Sequence, residues 1–111
     1  MIHRRKISMA RKEKLLEMLE NDPNDPFLHY ALGQQYLSEG ERPQAIEKLQ
    51  EVVNRFPEYH AAHFQLGQIL AEDGNSTQAS QILTQGIAAA RQAGEQHAEL
   101  EMTGFLDTIT G

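Results

Sequence analysis

The chain has no cysteine and no tryptophan. Without cysteine it has no disulfides and no thiolate metal sites. Long apolar runs are missing as well: no stretch approaches the ~20 residues a bilayer-crossing helix needs. Met1-Ile2-His3-Arg4-Arg5-Lys6 is basic, but no apolar core of about 7–15 residues follows it, which argues against a secretory signal. The middle of the chain lacks β-branched runs at strand spacing. Its glycines are single, so no glycine-rich loop follows a strand to cradle a phosphate. These absences leave a soluble, cytoplasmic protein as the expectation. At 111 residues it fits one domain, which buries roughly 60–70% of the unfolded chain's surface.

Basic residues are scarce beyond residue 14. Residues 1–14 hold six Lys/Arg against one Glu, a net of +5, and residues 15–111 carry a net of −11. An acidic body repels nucleic acid, and the basic start has no aromatic residues for base stacking. Met9 opens a sensible start of its own, so residues 1–8 are expected to be an unstructured basic leader.

What the chain does have is a copy of itself under one constant shift, the shift that carries position 32 to position 66. Leu32-Gly33 returns as Leu66-Gly67, Gly40 as Gly74, Gln44-Ala45 as Gln78-Ala79, and Leu49 as Leu83. His29 returns as His63 and His97, and the leucine series continues to Leu100. A repeated unit of this length cannot bury its apolar face alone, so copies must stack.

Apolar residues at helical spacing divide the chain into six helices. The first covers residues 9–20, with Leu15, Leu16, Met18 and Leu19, and stops at Pro23. Asp25-Pro26 caps and opens the second, and Gly40 ends it as a residue tolerant of positive φ. Arg42-Pro43 begins a third helix, closed by Phe56-Pro57. The fourth, fifth and sixth are expected at 59–72, 77–92 and 95–108, with Ser76 as the cap of the fifth. Every connection is short, so successive helices should pack antiparallel.

Leu32-Gly33-x-x-Tyr36, then Ala45-x-x-x-Leu49, then Pro57, over this period, resembles the tetratricopeptide repeat family. His29 stands in the leading Trp slot, and Arg91 in the Pro slot of the second copy. The resemblance implies an all-α fold, a right-handed α-hairpin solenoid of about six antiparallel helices. Residues 9–22 form a half-repeat helix, 26–59 and 60–93 two full repeats, and 94–111 a capping helix. Leu15, Leu19 and Pro23 sit one period before Leu49, Val53 and Pro57, and Glu101 takes the signature glycine's place in the last copy. Leu32, Gly33, Tyr36, Ala45 and Leu49, with Leu66, Gly67, Ala79 and Leu83, are the expected repeat-packing residues. Gly and Ala let helices approach closely, while Leu49 and Leu83 fill the gap between hairpins.

In this family the first helix of each pair lines a concave groove. By register, that groove holds Phe27, Tyr30, Gln34 and Leu37, then Phe64, Gln68 and Ala71, with Met102 from the last helix. Family members that grip a C-terminal carboxylate use Lys, Arg and Asn there, and here the slots hold no cation. The resemblance therefore implies a protein–protein interaction module for a peptide or helix of a partner, in an apolar and aromatic groove. The alternative is a self-associating structural module, a homodimer through exposed terminal helices. His60 and His63, with Glu58, are the nearest approach to a metal site, but the recurrence of histidine at the repeat period gives a structural role at each hairpin contact. Ser76, Thr77, Ser80 and Thr84 lack a base and an orienting partner. Neither an enzyme nor a cofactor is implied.

Overall fold

The computed structural model describes the backbone of residues 2–110 and the side chains of residues 11–110. Six helices follow one another and no strand occurs among the described residues: α1 (Ile2–Asn21), α2 (Pro26–Ser38), α3 (Arg42–Arg55), α4 (His60–Glu72), α5 (Ser76–Gln92) and α6 (Gln96–Thr110). The chain forms two compact units, residues 1–48 and 49–111, and the boundary runs through α3.

In the first unit α1 packs on α2. α1 starts at Ile2 rather than Met9, so the backbone of residues 2–8 of the expected leader is helical. No Pro or Gly between Met1 and Asn21 interrupts a helix propagating backwards from the leucine-bearing turns. Asp25 caps α2, its Oδ1 accepting from the Phe27 N–H at 2.9 Å, and Pro26 supplies the first helical position. Lys12 holds α1 to the far end of α2. Its Nζ lies 2.7 Å from Glu39 and 3.3 Å from Glu41, and 5.3 Å from the centre of the Tyr36 ring. The Glu39 partner raises the Lys12 pKa, and the same contact lowers that of Glu39.

In the second unit α4 packs on α5, α5 on α6, and α4 also touches α6. The hairpin turns share one geometry. Gly40, Gly74 and Gly94 take φ of 78°, 82° and 75°, and the next N–H returns to a carbonyl five residues back at 2.9 Å, as from Asn75 to Leu70. Asn75, not Ser76, caps α5: its side-chain oxygen accepts from the Gln78 N–H. The Asn sits one residue outside the helix, where an acceptor reaches the free N–H groups of the first turn.

Leu32, Ala45, Leu49, Leu66, Ala79 and Leu83 are buried, as are Gly33 and Gly67, while Tyr36 stays half-exposed under Lys12. Leu83 lies inside its own hairpin: a Cβ on Gly67 would stand 2.7 Å from its Cγ. Leu83 also clusters with Ala90 and with Met102 of α6.

Candidate protein-binding faces

Each groove residue expected from the sequence lies on α2, α4 or α6. On α2, Phe27 is 58% exposed, Gln34 is exposed, and Tyr30 and Leu37 are half-buried. The four share a stripe because they recur at helical spacing. Gln34 Nε2 donates to the Tyr30 hydroxyl at 3.0 Å, tying the amide to the ring on its own helix. Partial burial raises the Tyr30 phenol pKa against the opposing effect of that bond, so it remains a neutral donor. An open depression of about 420 Å³ lies between this stripe and α1, bordered by Leu15, Phe27, Ala31 and Gln34.

On α4, Phe64, Gln68 and Ala71 are half-buried. The Phe64 ring meets the Phe105 ring of α6 edge-on, with centroids 6.1 Å apart. Met102 does not belong to an accessible face. It is fully buried with Leu83 and Ala90, because α6 turns this residue toward the α5 surface. Gly86 makes the room: a Cβ there would stand 2.8 Å from the Met102 sulfur and 2.5 Å from the His63 Cβ. Nothing in the composition of α5 marks Gly86. Its one sequence signal is register, one period after the buried Val52.

The histidines divide. His29 is buried, with Nε2 2.7 Å from the Pro23 carbonyl and Nδ1 3.3 Å from Lys48 Nζ. An ammonium only donates, so Nδ1 accepts and Nε2 carries the proton to Pro23. His63 is buried with Nδ1 3.2 Å from the Tyr59 carbonyl, and burial lowers its pKa. His97 is not at a hairpin contact: its side chain is 89% exposed and faces Glu101 at 3.5 Å. Among the described residues, no helix follows α6 to cover it. Nor do any three His, Cys, Asp or Glu side chains among them converge to hold a metal ion, and no helix is long and apolar enough to cross a membrane.

The tetratricopeptide repeat profile matches residues 36–101, more than half of the chain. The chain belongs to the tetratricopeptide repeat family. A solution structure of a tetratricopeptide repeat domain protein from Salinibacter ruber is 30% identical, with a TM-score of 0.76 over 81% of this chain and 91% of that one. A Bordetella parapertussis protein solved in solution is 28% identical, with a TM-score of 0.71 over 88% of this chain and 85% of that one. PcrH, solved in complex with the chaperone binding region of PopD, shares the fold at 14% identity, with a TM-score of 0.81 over 97% of this chain and 82% of its own. No curated protein matches the sequence. The repeat explains why both units present first-helix stripes of similar chemistry, an aromatic ring followed by an amide four residues on.

Proposed function

We propose that this tetratricopeptide repeat chain binds a peptide or a helix of another protein on the apolar and aromatic faces of α2 and α4. Phe27 carries the reading: an aromatic ring left 58% in solvent beside an open depression. Such rings are over-represented among the residues that anchor interfaces. In the second unit, Phe64 backed by Phe105 offers an aromatic surface of the same kind. Gln34 and Gln68 each bring an amide that both donates and accepts, suited to the backbone of an extended segment. The PcrH complex supports peptide holding as a use of this fold. The proposed module works by binding, without a catalytic site, a cofactor or nucleic acid, and in the cytoplasm.

The test is affinity for a partner recovered by cross-linked pull-down and then purified. Phe27→Ala and Phe64→Ala should each weaken binding by about tenfold or more, the usual cost of an aromatic anchor, while circular dichroism stays unchanged. Unaltered affinity in both variants would remove the faces from the argument.

Self-association is the second reading. The exposure of Leu16, Met18 and Leu100 favours it, since large apolar side chains left in water on the terminal helices invite a second copy.

A further inference from the structure

His29 and His63 are one repeat period apart, and the two copies satisfy their buried rings differently. In the first copy both ring nitrogens are occupied. Nε2 donates to the Pro23 carbonyl at 2.7 Å, and Nδ1 accepts from the Lys48 ammonium at 3.3 Å. In the second copy the ring is held the other way round. Nδ1 lies 3.2 Å from the Tyr59 carbonyl, which only accepts, so Nδ1 carries the proton and Nε2 keeps its lone pair. Among the described residues nothing donates to that lone pair. The repeat counterpart of Lys48 is Ile82, buried and without a donor.

Every side-chain nitrogen and oxygen sealed from solvent among the described residues is paired. His63 Nε2 is therefore not sealed, although the residue is only 1% exposed. It opens into a depression of about 580 Å³ that His63 borders. Pro57 and Glu58, from the turn between α3 and α4, form one side of it, and Ala88 and Ala89 of α5 form another. At the register of the two alanines the first copy carries Asn54 and Arg55. Methyl groups in place of larger polar side chains keep the space beside the ring open.

We propose that this depression takes a lysine side chain of a partner protein, its ammonium donating to His63 Nε2 as Lys48 donates to His29. An acceptor at the floor selects a ligand with a donor. Burial lowers the His63 pKa, so the imidazole stays a neutral acceptor at neutral pH. Glu58 is exposed at the edge and no Lys or Arg borders the depression, which favours a cation over an anion. The Pro57 ring and the alanine methyls suit the methylene stem that carries a lysine ammonium. The depression is open to solvent on one side, so it admits a residue still attached to its chain. The site goes beyond the aromatic stripes of α2 and α4, since none of Pro57, Glu58, Ala88 and Ala89 belongs to them.

The test titrates the nitrogen-15-labelled full chain with doubly capped lysine. Capped norleucine, which has the stem without the ammonium, and cadaverine, which has the ammonium without a backbone, are titrated in parallel. Capped lysine should saturably shift the His63 Nε2 resonance and the Ala88 and Ala89 amides, binding about tenfold more tightly than norleucine because only it donates to the ring. Glu58→Gln should weaken the lysine probe several-fold. Ala89→Arg, which installs the first-copy residue and fills the space, should abolish the shifts, and circular dichroism checks that both variants fold. Equal shifts from lysine and norleucine, no shift from either, or shifts that survive Ala89→Arg overturn the proposal. Tighter binding of cadaverine than of capped lysine assigns the depression to free amines and overturns a partner's lysine as the occupant. Either failure leaves the aromatic faces as they stand.

Discussion

Two glycines set how closely the helices of the second unit approach. Gly67 accepts the Leu83 side chain, and Gly86 accepts both His63 and Met102. Gly86→Ala should destabilise the chain by about 1–3 kcal/mol, since the added methyl meets the His63 Cβ, which cannot rotate away. Thermal unfolding reads this, and an unchanged melting temperature would mean that α5 shifts at no cost. The motif pointed to Gly67 but not to Gly86, because a glycine in a helix interior reads as a weak position until its neighbours are known. His63 gives a pH dependence. Burial, with His60 nearby, lowers its pKa against the raising effect of the Tyr59 carbonyl. Above the ordinary value of 6.5 the imidazole is neutral in both states. As the pH falls below that, the unfolded chain takes up a proton that the folded chain resists, so stability drops until the lowered folded value is passed. Melting temperature should therefore fall as the pH drops below about 6.5. His63→Gln, which keeps a donor for the Tyr59 carbonyl, should flatten that fall. A slope that survives the change would assign the effect to other groups.

Helix ends show what a single element's sequence can and cannot specify. Asp25-Pro26 is a complete start signal, and the structure uses it as such. At α5 two adjacent polar residues compete for the cap, and the structure selects Asn75. Asn75→Ala should cost about 1 kcal/mol and Ser76→Ala much less. Equal losses in urea denaturation would return the role to Ser76. α1 carries a weaker start signal. Its upstream turns carry no apolar stripe to mark a start, and its tie to α2 through Lys12, Glu39 and Glu41 joins residues far apart in sequence. Charged residues on a helix surface look alike in one dimension. Which of them pair depends on where the next helix lies.

Across the whole chain, equivalent repeat positions do not have equivalent surroundings. Leu66→Ala removes a fully buried side chain and should cost about 2–5 kcal/mol. Leu100→Ala, at the same repeat position but mostly in solvent, should cost under about 0.5 kcal/mol in the monomer. Similar losses for both would show that Leu100 is covered. Sequence alone established the helical class, the repeat unit, the turn glycines and the family, because spacing and local backbone preference are properties of the chain itself. Tertiary structure decided which copies of each repeated residue are covered. It took Met102 out of reach, left His97 and Leu100 in water, and gave Gly86 its purpose. Burial depends on a neighbouring helix being present, and a repeat pattern is the same whether or not that neighbour exists.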